Sequence, residues 1–410
     1  MITEQSKILL KKYTFIDLFA GCGGLSEGFY RQGFEALAHI EINHWACETL
    51  RERMRYYKYK DAEEKVIEAD ITSDDIISKI NLAVGSMPVD IIIGGPPCQA
   101  YSTAGRVRDS KGMSSDPRNY LFESYVKILE FYRPKFFVFE NVVGVLSAKV
   151  EGKPIFPQII DALGKEYDVI NDPKILTHNT VEYGVPQLRK RIIIMGVRKD
   201  IQCKRAIDLY KDVLKTHWAP DAEEKDKKGL THFVDVKEAI GDLPKVEPGQ
   251  DASTETFDYK CNNDFLKRIG RKGIHPLYDH IARSHNALDR ERFRQMISHH
   301  WSFGQLRREM PQYEHERARL FDNSYVVQWW DLPSKTILAH IHKDGFQFIH
   351  PDESQARSFT VREAARIQSF PDDFVFKGSR GEKYKQIGNA VPPLFAEALA
   401  KSIKKNLNDI

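Results

Sequence analysis

The sequence predicts an α/β fold in which a mostly parallel, doubly wound sheet is joined to a second, smaller, irregular domain. Two observations carry this. Over the first 200 residues short apolar runs alternate with helical stretches, as βαβ units do when a sheet is covered on both faces. Near residue 199 the alternation stops, and it resumes only near residue 358.

The strands follow in order. Residues 13–20 (YTFIDLFA) form a β-rich run that ends at Gly21 and leads into a helical stretch with Leu25, Phe29 and Tyr30 on one face. Residues 36–40 form a second run, closed by Glu41, and 66–71 (VIEADI) a third. Residues 89–93 form a fourth, almost wholly apolar, and 136–139 (FFVF) a fifth. A later run spans 191–197 (RIIIMGV). Beyond it, 221–228 (DAEEKDKK) is a solvated charge run and 247–256 is polar and turn-rich. Residues 362–370 and 393–407 then read as helices.

Composition sets the outer limits. A length of 410 residues suits two to three domains at about 150 residues each. With 41% hydrophobic and 29% charged residues the chain is globular, not disordered or collagen-like. No run approaches the roughly 18 apolar residues of a membrane span. The start shows no signal peptide, which makes the cytoplasm the default location. The net charge of +3 is weakly basic and decides little. The five cysteines, at 22, 47, 98, 203 and 261, are odd in number and lack a CxxC pair. A disulfide framework or a cysteine-rich zinc module is therefore disfavoured, and no metal site is expected.

In such a sheet, ligand sites lie at the carboxyl ends of the strands. The first strand runs into Asp17, Phe19 and the glycines Gly21, Gly23 and Gly24, where backbone N–H groups and a helix N-terminus can approach a ligand. Glu41 could take two ribose hydroxyls and Asp70 an adenine amino group. Together these suggest a nucleoside-cofactor layout; the plain alternative is a tight strand–helix turn with no ligand. The turn does not fit GxGxxG, which counts against a nicotinamide cofactor. The fourth strand leads into Gly94-Gly95-Pro96-Pro97-Cys98-Gln99, and the two prolines present Cys98 at the strand end, where a thiol needs a positive or hydrogen-bonding environment to ionise usefully. The following loop, to about Asn119, carries Arg106, Arg108, Lys111 and Arg118. It suits closure over an anionic substrate or is a solvated surface loop. Glu140 emerges from an apolar strand, where partial desolvation would let it hold a proton near neutrality; a solvated strand end or helix cap is the alternative. In extended backbone Gln187, Arg189 and Arg191 share one face, aimed at an anion, a carbonyl-rich ligand or a structural carboxylate.

Taken together, these segments resemble the cytosine-C5 DNA methyltransferase family. The similar segments are 17–24, Pro96-Pro97-Cys98-Gln99, Glu140-Asn141-Val142, 187–191 (QLRKR), 362–368 (REAARIQ) and 386–391 (QIGNAV), in family order. The resemblance implies a Rossmann-like, S-adenosylmethionine-dependent methyltransferase fold with a target-recognition domain, and the release of S-adenosylhomocysteine. It implies that Cys98 attacks C6 of a flipped cytosine, that Glu140 bonds the N3 edge and amino group, that Arg191 bonds O2, and that Arg189 supports the loop and the intermediate. It places the cofactor against Phe19, Gly21, Cys22, Gly23, Glu41, Ile42, Asp70, Ile71, Pro97, Leu121, Asn389, Ala390 and Val391. Gln99, Ser102, Arg106 and Gln187 would contact DNA.

The implied organisation is a catalytic and cofactor-binding domain over 1–199, completed by 380–410, a target-recognition domain over 200–357, and a hinge with the penultimate motif over 358–379. Segment 264–320 carries twelve Lys and Arg against seven Asp and Glu, a local excess suited to phosphate contacts. Transfer-RNA relatives typically continue the nucleophile motif with Pro-Phe-Thr; here it is Ala100-Tyr101-Ser102, which favours double-stranded DNA. A monomer is the family expectation, with a separately acting restriction endonuclease as candidate partner, no membrane, and association with the nucleoid through DNA. His340 and His342 read as one face of a strand, and one of Trp329 and Trp330 as facing the core.

Overall fold

A computed structural model describes residues 12–97, 120–314 and 325–410. Its centre is an eight-stranded sheet. Strand β1 (Thr14–Leu18) is followed by helix α1 (Gly24–Arg31), strand β2 (Glu35–Glu41), helix α2 (His44–Tyr56) and strand β3 (Val66–Glu68). Helix α3 (Ile76–Val84), strand β4 (Ile91–Gly94), helix α4 (Leu121–Tyr132) and strand β5 (Phe136–Val142) come next. Strands β6 (Tyr167–Val169), β7 (Thr177–Asn179), β8 (Gln187–Leu188) and β9 (Lys190–Arg198) complete this half. The sheet order is β3-β2-β1-β4-β5-β9-β6, with β7 also on β9. The first five strands are parallel, whereas β9 runs antiparallel to β5, β6 and β7.

Every residue of β1 is buried, as expected of a central strand covered on both faces. The chain builds outward from β1 in one direction through β2 and β3, and in the other through β4 and β5. That reversal opens a crevice at the carboxyl ends of β1 and β4. Here Gly94 lies opposite Leu18, and a side chain at Gly94 would run into the Leu18 carbonyl.

The C-terminus returns to the start of the chain. Helix α1 packs on the final helix, Pro393–Asn408. Gly28 lets the Ala396 backbone approach, and Gly24 lies against the Val391 carbonyl. The Tyr13 hydroxyl donates to the Leu407 carbonyl at 2.9 Å.

The insertion does not form one separate body. Leu209, Ile240, Phe265 and Ile269 belong to the main core. A second, smaller core gathers Phe293, Met296, Phe303, Tyr325, Ile349 and Ala356. The change at residue 199 thus marks a loss of regular alternation, while the main core continues past it and also takes in Ile337, Ile341 and Phe348. Trp330 packs against the main core and Trp329 against the second. His340 and His342 stand on a 3-10 turn, Ala339–His342, not on a strand. Gly388 has no side chain to hold off the Leu338–Ala339 backbone, so this segment seats on the helix Arg380–Asn389.

Four of the largest fully buried side chains are arginines: Arg189, Arg357, Arg362 and Arg366. Arg357 forms a bidentate pair with Glu363, both bonds 2.7 Å. Arg366 pairs with Asp372 and Asp242. Arg362 donates to the carbonyls of Tyr278, Pro371 and Phe374. These cations fasten the helix Val361–Ile367 to the elements around it.

Candidate active site

The first strand leaves the sheet through residues with left-handed backbone: Phe19 (φ 58°), Gly21 (φ 56°) and Gly23 (φ 89°). Phe19 is the costly one, since only glycine adopts this region freely. The turn is held by Glu41 at the end of β2. Its carboxylate accepts N–H bonds from Gly21 at 2.8 Å, Ile42 at 3.0 Å and Asn43 at 2.8 Å. Burial pushes the Glu41 carboxyl up, and those three N–H bonds work against that. Asn43 caps α2 by accepting from the Ala46 N–H.

A side chain built at Gly21 would meet nothing within 4 Å. Phe19 before this turn is half-buried, and Ile42 and Trp45 after β2 are 66% and 42% exposed. Asp70 is exposed, and the Thr72 N–H and hydroxyl hold its carboxyl low. Ile71 is buried. The Gly21, Ile42 and Asn43 N–H groups are taken by Glu41, so what this strand-end turn offers a nucleoside is the exposed Asp70 carboxylate and the apolar side chains of Phe19, Ile42 and Ile71. Beneath it lies a fully buried polar chain. The Ser26 hydroxyl donates to Asp17 at 2.5 Å and contacts His39 Nδ1, and His39 Nε2 meets the Tyr30 hydroxyl at 2.7 Å. Burial lifts the Asp17 carboxyl to about 8 and drops His39 to about 3. Cys22 is buried too, with its thiol pushed up by that burial.

The second cluster lies at the ends of β4, β5 and β9. Arg191 Nε meets Glu140 Oε1 at 2.8 Å, with the side chains 10% and 14% exposed. Glu140 is therefore paired with a cation, not isolated at an apolar strand end. A side chain at Gly95 would lie 2.7 Å from Glu140 Oε2, so glycine lets the carboxylate rest against the loop. Asn141 accepts from the Val142 N–H at 2.8 Å and reaches the Pro96 carbonyl at 3.5 Å. This aims the Pro96-Pro97 turn. Cys98, Gln99, Ser102 and Arg106 lie outside the described residues.

Of the three residues predicted to share a face on 187–191, two turn inward to the protein itself. Gln187 is fully buried; it donates to the Ile367 carbonyl at 3.0 Å and accepts from the Ile337 N–H at 3.0 Å. The expectation that Gln187 contacts DNA is corrected: both ends of its amide are used inside the fold. Arg189 donates to the carbonyls of Ile337 (2.8 Å), Gly388 (3.1 Å) and Ala390 (3.0 Å). The carbonyl-rich partner is the protein, and Arg189 is a positioning residue here, not one facing the open site. Only Arg191 joins the Glu140 cluster.

The last motif lies beside the first. Asn389 is exposed at the end of its helix, and Ala390 and Val391 are buried next to α1. Leu121 opens α4, half-buried against the main core. Sequence reasoning assigned no task to Gln368, whose amide donates to the Ala390 carbonyl at 2.6 Å, nor to Asn141 as the brace of Pro96. Both stand inside quoted motifs, but their partners are distant in sequence. Among the described residues no group of three or more His, Cys, Asp or Glu could hold a metal ion, and no helix is long and apolar enough to cross a membrane.

Comparison with known proteins gives the context. The family model described as C-5 cytosine-specific DNA methylase matches residues 13–405. Type II methyltransferase M.Bpa9945I of Bacillus paralicheniformis is 34% identical, covering 96% of this chain and 99% of its own length. Type II methyltransferase M.DdeI of Desulfomicrobium norvegicum is 34% identical over 96% of this chain and 89% of its own. A prophage-encoded protein of E. coli shares the fold with a TM-score of 0.69 at 24% identity, covering 97% of this chain and all of that one. The Entamoeba histolytica methyltransferase EhMeth superposes with a TM-score of 0.54 at 15% identity, covering 97% of this chain and 99% of that one.

Proposed function

The chain belongs to the C-5 cytosine-specific DNA methylase family, as an S-adenosylmethionine-dependent DNA methyltransferase, and we propose from this how its own residues divide the work. The family's chemistry acts on a cytosine turned out of the duplex, because the ring is unreachable inside the stack. A cysteine adds to C6, because C5 alone is a poor nucleophile.

Cys98 is the nucleophile: its thiolate forms a bond to C6 and the ring electrons move to C5. Glu140 holds a proton at N3 and accepts from the exocyclic amine. Arg191 donates to O2 and keeps Glu140 in place. When bound, S-adenosylmethionine supplies an electrophilic methyl group for C5. A base then takes the C5 proton, the C5–C6 double bond re-forms and Cys98 leaves. Phe19, Gly21, Glu41, Ile42, Asp70, Asn389, Ala390 and Val391 hold the nucleoside and its tail, with Phe19 toward the adenine. The carrying observation is the Arg191–Glu140 pair at 2.8 Å, with Glu140 against Gly95 and its strand separated by β4 alone from β1, which leads into the Gly21 turn.

Residues 200–357 read a short duplex sequence, with the excess basic charge of 264–320 on phosphates. The relatives named as Type II methyltransferases support a protective role beside a restriction endonuclease. A monomer visiting each strand in turn and a place in the cytoplasm, on the nucleoid, complete the reading.

The test is transfer of labelled methyl from S-adenosylmethionine to genomic DNA and to total RNA in parallel, with Cys98→Ala as control. DNA labelling that vanishes in the variant supports the assignment. Labelling that persists in Cys98→Ala removes Cys98 from its role, and labelling confined to RNA overturns the substrate. Mapping the modified cytosines yields the target sequence.

A further inference from the structure

Three buried polar side chains join the two halves of the active site, and the chemistry above uses none of them. Gln187 and Arg189 flank Leu188 immediately before the strand that bears Arg191. Gln368 follows the helix Val361–Ile367. The Ala390 carbonyl accepts from both Arg189 (3.0 Å) and Gln368 (2.6 Å). The Gln368 amide oxygen in turn accepts from Gln187. Gln187 and Arg189 both seize Ile337, one through its N–H and the other through its carbonyl. The result is a closed ring of hydrogen bonds among Gln187, Gln368, Ala390, Arg189 and Ile337.

The ring is shielded from water. Gln187, Gln368 and Arg189 are each at most 1% exposed. Among the described residues Arg189 donates to three carbonyls and to no carboxylate. Burial and the neighbouring Arg191 charge hold its guanidinium well below the usual range. A buried cation held only by carbonyl dipoles is sensitive to their spacing, because each bond weakens steeply as its geometry worsens. Residues 388–391 therefore cannot shift without disturbing the backbone that sets Arg191.

We infer that Gln368, Gln187 and Arg189 are positioning residues that couple the cofactor side of the site, residues 388–391, to the target-base side, Arg191 and Glu140. Filling the cofactor side tightens segment 187–191 and the Ile337 backbone before DNA arrives. The inference rests on the proposed reading that 389–391 border the cofactor. Coupling of this kind changes binding at the second site by about 5- to 150-fold.

The experiment is amide hydrogen exchange on the full chain, with and without saturating S-adenosylhomocysteine, for the wild type and Gln368→Met. Calorimetry first establishes that S-adenosylhomocysteine binds. The expected result in the wild type is slowing of about ten-fold at the Ile337 amide and across 187–191. In Gln368→Met, slowing should persist at 389–391 and disappear at Ile337. A purely packing role for Gln368 would lower the melting temperature and leave the transmitted protection intact, which overturns the inference. Protection confined to 389–391 in the wild type also overturns it, even should the variant fail to fold. Binding with no protection at 389–391 would instead remove the cofactor reading on which the inference rests.

Discussion

Arg191 and Glu140 meet at 2.8 Å although they are not opposite one another in the ladder. Arg191 is paired with Val142, and Glu140 with Ile193. They are diagonal neighbours on one face of the antiparallel β5–β9 pair, a spacing that long side chains bridge. The antiparallel entry of β9 into an otherwise parallel edge is what brings a late arginine to the end of the fifth strand.

Glu140→Gln keeps the shape and a donor and acceptor, but removes the transferable proton and the charge that pairs with Arg191. The turnover number should fall about 10²- to 10⁴-fold, the usual worth of a positioned acid or base. Affinity for S-adenosylhomocysteine should stay within about two-fold, since the cofactor side is untouched. Single-turnover methyl transfer and calorimetry check the two halves.

Gly95→Ala tests the close approach of the loop. The added methyl would stand 2.7 Å from Glu140 Oε2, so the carboxylate must move. Displacement of about 1 Å at a reacting group costs about 10²-fold in rate. Turnover should drop by one to two powers of ten (about 10- to 100-fold) with the thermal midpoint lowered by only a few degrees, read by kinetics beside a melting curve.

Glu41→Gln weakens three backbone N–H bonds at the Gly21 turn. Hydrogen bonds to a charged group are worth about 1.5–3 kcal/mol each, and part of that holds the turn. The Michaelis constant for S-adenosylmethionine should rise at least about ten-fold, with the constant for DNA changed far less. Initial rates at varied cofactor concentration decide this.

Two groups make opposite pH predictions. His39 is held down to about 3, and His178 and His285 to about 4, all three first through burial. The unfolded chain then binds more protons between pH 6.5 and those values, so stability is lost as pH falls through that window. Each should cost about 2 kcal/mol by pH 5 at 1.36 kcal/mol per unit, less for the partly exposed His285. Asp17, lifted to about 8, has the reverse sign. The folded state holds the extra proton, so its contribution falls as pH rises from about 4 to about 8. The stability difference between wild type and Asp17→Asn should therefore move in favour of the variant as pH climbs from 4 to 8. Urea titrations at stepped pH measure both effects.

Glu363→Gln leaves the fully buried Arg357 cation without its carboxylate. Breaking a buried pair on one side costs about 3–5 kcal/mol. The midpoint of denaturation should fall accordingly, and the double change Arg357→Met with Glu363→Gln should recover part of the loss.

The strands themselves and the chemistry at their ends were legible because both are local, whereas their order in the sheet came from the structure. Apolar runs such as 89–93 and 136–139 read as covered strands, and the residues following each run are expected near the strand ends. Glu41, Asp70, Pro97 and Glu140 were located that way. The boundaries shifted slightly: β5 continues through Glu140 to Val142 because β9 pairs with it along its whole length.

Other features needed the folded chain. By strand periodicity Gln187, Arg189 and Arg191 are alike, yet two are buried against backbone from residues 337, 367, 388 and 390, and one reaches Glu140. Nothing within five residues of them distinguishes these fates. Likewise the irregular composition after residue 199 reads as a new domain, while Leu209, Ile240 and Phe265 continue the first core. The sequence alone determined which backbone periods form, and so the sheet and the chemistry offered at its edge, because those depend on neighbours along the chain. Tertiary structure decided which polar side chains are spent inside the fold and which face a ligand, because a buried donor must find an acceptor, and here those acceptors lie some 150 to 200 residues away.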